Sequence, residues 1–342
     1  MSRFLDAARG RHVDATPVWF MRQAGRSLPE YRKLRERWSL AEIVAQPELC
    51  AEVTLQPVRT LGVDAAVMFA DIMLPLRGMG VDFELVEDVG PVITEPIATA
   101  ADVERLRVAG GEEAAPQVIA AVRQVVASSP VPVICFCGAP FTLASYLIEG
   151  RPSRSFTKVK VFMYTQPEAF DALLGKLART MAAYLAAQLD AGAKAVQVFD
   201  SWVGALAVED YESRVAPHTR AIFDSLASRE VPRIHFGTNT AGLLEAITRT
   251  GPDIVSLDWR VPLDEGWRRV GHDRGVQGNL EPAILLGPAE LVKERSRGVL
   301  RRAAGRPGHI FNLGHGVLAE TPLDNLRLVV ETVHEWVPER VA

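Results

Sequence analysis

Along this chain, short apolar runs alternate with longer stretches in which apolar positions recur every three or four residues. The short runs span 17–20, 64–69, 131–136, 195–199, 232–236, 253–257, 275–278 and 309–313. Most are rich in Val, Ile and Phe and bounded by Gly, Pro or Asp, so each predicts a strand. The longer stretches predict helices. Over 167–191, Ala172, Leu173, Leu177, Met181, Tyr184, Leu185 and Leu189 recur at helical spacing, and Gly192 supplies the stop. Similar stretches predict helices over 41–61, 111–128, 205–228, 240–250, 288–304 and 322–336. A largely alternating run at 81–86 predicts a small hairpin outside this series.

Eight strands interleaved with helices make an α/β chain. Its expected form is a single (β/α)8 TIM barrel, with a doubly wound open sheet as the alternative. No low-complexity linker, repeat or composition break divides the chain, so one domain over 1–342 is expected. With 342 residues, 48% of them hydrophobic, there is ample material for a large core. The formal net charge of -4 gives no reason to expect nucleic acid or an anionic membrane as partner. No run is long and apolar enough to span a bilayer, and Arg3, Asp6, Arg9 and Arg11 interrupt the place of a signal-peptide core. A soluble cytoplasmic protein is expected. The cysteines, Cys50, Cys135 and Cys137, are too few and odd in number for a disulfide framework. Cys135 and Cys137 share one face of a predicted strand, but two thiols alone do not make a metal site, so both read as buried structural residues.

In a barrel, the active site gathers where the strands end. The residues just past the predicted strands here are mostly polar: Arg22 and Arg26, then Asp71, then a Gly138–Phe141 turn leading to Tyr146, then Asp200 and Ser201. Asp258, Asn279 and the glycine-flanked His315 complete the series. Asp200 and Asp258 also fit plain turn or cap positions. The run Met21-Arg22-Gln23-Ala24-Gly25-Arg26 places two planar guanidinium forks about a small, flexible pair, a seat suited to a polyanion. Ser27-Leu28-Pro29-Glu30 resembles a capping box opening the next helix, whose N-terminus also favours anions.

Other chemistries lack their motifs. The histidines form no H-x-x-x-H or H-E-x-x-H pair, and no G-x-G-x-x-G follows a strand. There is no phosphate-binding G-x-x-x-x-G-K-[ST] and no G-x-S-x-G elbow. The remaining candidates are an arginine pair, a carboxylate, a tyrosine, a serine and a histidine. That set can bind a carboxylate-rich ligand and stabilise a developing positive charge through Asp71.

The segment 17–32, PVWFMRQAGRSLPEYR, closely resembles the N-terminal signature of the uroporphyrinogen decarboxylase family. Further segments are similar to the same family in order: Phe69-Ala70-Asp71-Ile72, the run 138–146, Gln197-Val198-Phe199-Asp200-Ser201, and the run 308–316 with its Gly314-His315-Gly316. Asp258-Trp259 and Gln277-Gly278-Asn279-Leu280 are also family landmarks. The resemblance implies a single-domain barrel that forms a homodimer and needs no metal or organic cofactor. It implies decarboxylation of the four acetate side chains of the tetrapyrrole uroporphyrinogen III to methyls, giving coproporphyrinogen III in haem biosynthesis. Carried over position by position, Arg22, Gln23, Ala24, Gly25 and Arg26 bind substrate carboxylates, and Asp71 accepts hydrogen bonds from the pyrrole N–H groups. Tyr146, Ser201 and His315 complete the cleft, with Asp71, Arg26, Tyr146 and His315 as the catalytic set. The proton donor stays open between the arginines, reluctant acids with pKa above about 12, and His315, whose ordinary pKa is about 6.5.

The chain departs from the family pattern at Ser27, at Ala319 and over 236–240. One rival on the same fold is a cobamide-dependent methyltransferase with a zinc-activated thiol. It needs His-x-Cys after the fifth strand, where this chain has His235-Phe236-Gly237. A second rival, a non-catalytic tetrapyrrole-binding protein, would be marked by loss of Asp71 or His315; both are present.

Overall fold

The computed structural model of the protein describes residues 2–86 and 89–337. Seven strands form one parallel sheet: β1 (Ala66–Val67), β4 (Val133–Gly138), β5 (Ala195–Asp200), β6 (Arg233–Gly237), β7 (Ile254–Ser256), β8 (Gly275–Gln277) and β9 (His309–Ile310). Their spatial order follows the chain without reversal. A doubly wound sheet must reverse at a switch point, so that alternative is excluded and the architecture is TIM-barrel-like. The remaining strands, β2 (Phe83–Val86) and β3 (Gly90–Ile93), pair antiparallel as the hairpin expected near 81–86.

The predicted strand at 17–20 contracts to one parallel bridge, Val18 with Phe311. Its hydrogen bonds run both ways: Phe311 N–H donates to the Pro17 carbonyl at 2.8 Å, and Asp64 N–H to the Val18 carbonyl at 2.8 Å. This segment therefore lies between β9 and the run leading into β1. Buried side chains tie it inward. The Trp19 indole N–H donates to Gln277 Oε1 at 3.0 Å, and the Gln277 amide donates to Gln197 Oε1 and Ser256 Oγ, each at 3.0 Å. This linked polar layer satisfies the Trp19 and Gln277 side chains, while the Gln197 Nε2 has no partner among the described residues.

Proline explains where predicted helices break. Pro47 splits 41–61 into Leu40–Ala45 and Pro47–Leu61, and Pro116 splits 111–128 into Gly111–Ala114 and Pro116–Ser128. A residue before proline is pushed out of the helical region, and Gln46 is extended. Pro217, which lacks an N–H and crowds the preceding turn, follows a π-helical stretch, Tyr211–Val215, that precedes Ala216–Ser225. The segment 240–250 keeps helix only at Leu244–Thr248. Pro140–Glu149 is helical and mostly buried, with Thr142, Ser145, Tyr146 and Glu149 falling at helical spacing along one face. Among the described residues, no helix is long and apolar enough to cross a membrane.

Candidate functional site

The turn after the first strand segment is built from the inside. Gln23 is fully buried, and both ends of its amide are engaged: Oε1 accepts from Phe20 N–H and Nε2 donates to the Ala65 carbonyl, each at 3.0 Å. Asn312, equally buried, accepts from Met21 N–H at 3.1 Å. Two side-chain amides thus fix the turn to its neighbours. The Gln23 side chain is a clamp within the core, and the Ala24 methyl packs with Leu28, Tyr31, Ile43 and Val53. Neither presents its side chain to the cleft. Arg22 and Arg26 do face solvent, on either side of partly exposed Gly25.

Arg22 has a left-handed backbone, φ 59°, a conformation an ordinary side chain adopts only when its surroundings impose it. Among the described residues no hydrogen bond or ion pair with its guanidinium is found. Its stem rests on Gly316, where an added Cβ would stand 2.5 Å from Arg22 Cδ and 2.9 Å from Cγ. Gly314 is equally constrained, since a Cβ there would stand 2.5 Å from the Trp259 backbone nitrogen. The two glycines that bracket His315 therefore let it sit between Arg22 and the 258–259 turn. The helix after this loop, Pro29–Arg35, departs from expectation. Leu28 is its N-cap, without a side-chain bond, and the buried Ser27 hydroxyl has no hydrogen-bond partner. The capping box does not form.

Asp71 follows the short β1. Its Oδ1 accepts from Met73 N–H at 2.8 Å, which fixes the carboxylate while leaving part of it open to the cleft. Burial pushes its pKa up, opposed by that hydrogen bond and by the nearby positive charge of Arg22. The Tyr146 hydroxyl is also pushed up, chiefly by burial and then by Asp71, with Arg22 opposing. Tyr146, Asp71 and Arg22 are thus electrostatic neighbours although they come from three separate chain segments. The Tyr146 ring stacks on Trp202 at 3.9 Å, and Phe156 meets Trp202 edge-on at 5.2 Å. Ser201 lies beside this stack, its carbonyl accepting from Thr238 Oγ1 at 2.5 Å. Thr142 sets the geometry by donating to Asp200 Oδ1 at 2.8 Å and accepting from Trp202 N–H at 3.3 Å.

His315 departs from the titrating role open to it. Burial first, then the positive charges of Arg22 and Arg260, hold its pKa down to about 4, with Asp258 opposing. The imidazole is neutral at pH 7, so in the free protein it is not a ready acid. Beneath it lies an aromatic run: Phe136 to Phe199 at 5.0 Å, Phe199 to Phe236 at 5.6 Å, and Phe236 to His315 at 6.0 Å. Trp202, Phe156 and Arg260 were not singled out from sequence. Trp202 directly follows the Asp200-Ser201 pair at a predicted strand end, a signal that could have found it.

Among the described residues no group of three or more His, Cys, Asp or Glu could hold a metal ion. Cys135 and Cys137 are fully buried, with thiol pKa values pushed up by that burial, and Cys50 is pushed up to about 12 for the same reason. Inert structural thiols are the result.

The uroporphyrinogen decarboxylase (URO-D) family model matches residues 1–336. The chain is 52% identical over 334 residues to the uroporphyrinogen decarboxylase of Carboxydothermus hydrogenoformans, covering 97% of this chain and 95% of that protein. It is 53% identical to the enzyme of that name from Thermus thermophilus, over 97% of both chains. Among solved structures, a methyltransferase from Methanosarcina mazei superposes with a TM-score of 0.83 over 97% of each chain at 20% identity. At that identity the likeness is one of fold alone.

Proposed function

The chain belongs to the uroporphyrinogen decarboxylase family, and from that premise we propose that it removes the four acetate carboxyl groups of uroporphyrinogen III, giving coproporphyrinogen III in haem biosynthesis. The observation that carries this reading is that a fixed, partly open Asp71 and an Arg22 whose guanidinium makes no hydrogen bond or ion pair among the described residues stand near enough to act on each other's charge.

The arginines grip substrate carboxylates, and their planar forks suit that task better than lysine. Asp71 accepts from the pyrrole N–H groups through the carboxylate edge that Met73 leaves open. Protonation of the ring carbon next to the one bearing an acetate makes the ring cationic and places that charge in conjugation with the acetate. The bond to the carboxylate then breaks, carbon dioxide leaves, and the electron pair returns to the ring. A second protonation turns the exocyclic methylene into a methyl, and loss of the ring proton restores the pyrrole. Each cycle consumes one proton and releases one carbon dioxide. Asp71 stabilises the cation as it forms, a preorganised charge that acts more strongly once bound substrate displaces water from the cleft. Burial raises its pKa in the free protein, and a cationic ring beside it would draw the pKa back down. His315 is neutral in the free protein chiefly because it is buried, so carboxylates bound at Arg22 and Arg260 relieve only the smaller part of that shift.

The same reading takes the sheet to close into an eight-stranded barrel, supported by the Val18–Phe311 bridge and the Asp64 hydrogen bond, and to form one domain. It also takes the protein to act as a cytoplasmic homodimer. Anaerobic incubation with uroporphyrinogen III, then oxidation and chromatography of the porphyrins, is the test. Products with progressively fewer carboxylates are expected, and their complete absence refutes the reading.

A further inference from the structure

We propose that Arg260 is a third carboxylate-binding group of the cleft, placed on the far side of His315 from Arg22 so that the substrate is held from two edges. This rests on the decarboxylase reading, which supplies a flat ligand with carboxylates around its rim. The Arg22–Arg26 turn holds one edge and Asp71 the ring nitrogens, which leaves the carboxylates on the far rim without a cation to meet them.

The placement follows from close packing. Residue 316 abuts the Arg22 stem, and residue 314 abuts the backbone of Asp258 and Trp259. His315 therefore stands between the two, and both guanidiniums act on its ring. Arg260 is also held in place. Asp258 Oδ1 accepts from Arg260 N–H and Asp258 Oδ2 from Nη1, each at 2.9 Å. The guanidinium lies over the Trp259 ring, 4.1 Å from its centre. Asn279, after β8, clamps the turn by donating to the Asp258 and Val261 carbonyls at 3.0 and 2.7 Å.

A structural role as counter-ion to Asp258 accounts for only part of this. That carboxylate is 2% exposed and needs a cation, but the Arg260 side chain remains 41% exposed. Among the described residues its Nε and Nη2 make no hydrogen bond. The fork is anchored through one nitrogen and the ring face, while its other donors are available. An immobilised guanidinium loses little freedom on meeting a carboxylate, which makes each hydrogen bond it forms more effective.

The test uses uroporphyrin, the oxidised porphyrin that keeps every carboxylate, titrated by fluorescence from low to high salt. Arg260→Gln is expected to weaken binding about tenfold or more and to flatten the salt dependence, as loss of a charge-assisted contact does. Arg260→Lys, which keeps the charge, should recover part of the affinity. Arg260→Gln leaves Asp258 buried without its cation, so the double variant Asp258→Asn/Arg260→Gln restores neutrality and must show the same binding loss while folded. In turnover the deficit should fall on KM more than on kcat. Uroporphyrin affinity and salt dependence equal to wild type in the folded double variant would overturn the proposal. The two readings fail separately. A wild type that turns over uroporphyrinogen III but is indifferent to Arg260 sinks this proposal alone. A wild type that binds uroporphyrin through Arg260 without turnover sinks the decarboxylase reading alone.

Discussion

Gly316→Ala probes whether the position of Arg22 matters beyond its charge. The added methyl would stand 2.5, 2.9 and 3.2 Å from Arg22 Cδ, Cγ and Cβ. Nonbonded carbons settle at about 3.5–4.0 Å, so Cδ must retreat by about 1 Å. The Arg22 backbone, already at φ 59°, has little room to share the shift. The exposed side chain can swing aside instead, so the stability cost should stay below about 1 kcal/mol. Catalysis is less forgiving, because a misplacement of about 1 Å in a positioning group can cost on the order of a hundredfold, or roughly 2.7 kcal/mol of barrier. The assay is anaerobic decarboxylation followed by chromatography, with a thermal melt of each variant. Gly316→Ala is expected to lower kcat/KM by about 10- to 100-fold with a nearly unchanged melt. In an Arg22→Ala background, which removes Cδ and Cγ and leaves only the 3.2 Å contact with Cβ, the same change should cost less than about twofold. Wild-type turnover in Gly316→Ala, or equal losses in both backgrounds, would refute the argument.

Asp71→Asn should lower turnover by about 10²–10³-fold, the usual loss when a preorganised electrostatic group is removed. The same variant should melt higher at neutral pH. A carboxylate whose folded pKa is raised carries a cost that is complete above that pKa and disappears as pH falls below the unfolded value; a lower melt with normal turnover would contradict both statements. His315 has the opposite consequence. Its pKa near 4, against 6.5 in the unfolded chain, makes stability fall as pH drops through that window. Between pH 7.5 and 5 the loss should reach at most about 2 kcal/mol, read by urea unfolding as the difference between wild type and His315→Gln; no difference would exclude the shift. Gly314→Ala meets backbone at Trp259 rather than a movable side chain, so it should destabilise by about 1–3 kcal/mol. A denaturation midpoint unchanged from wild type would show that the turn has slack.

The order of the strands and the presence of most of the site were legible in the chain. Strand endings are marked by a change from apolar to polar residues, and that change exposed Arg22, Asp71, Ser201 and His315 without reference to anything distant. The prolines that split 41–61 and 111–128 were visible too, but apolar periodicity continued through them and masked the breaks. Pro140–Glu149 was hidden for a different reason, since it directly follows a strand end where a turn is expected and most of its surface is buried.

Periodicity reports which face of a segment is buried, not what lies against it. The inward turn of Gln23 and the neutral state of His315 depend on partners remote in sequence, whereas Arg260 is anchored by its neighbours Asp258 and Trp259 and only the Asn279 clamp on that turn comes from a distance. Gln23 meets Ala65, and His315 lies between the guanidiniums of Arg22 and Arg260, which are far apart in the chain. The residues on either side of His315 show the division clearly. Two glycines were evident at once in the sequence, but their purpose is close approach, of one to Arg22 and of the other to Trp259. Only packing brings those atoms within contact distance. Residue types and strand ends are local properties of the chain, whereas charge states and contacts depend on the assembled surroundings.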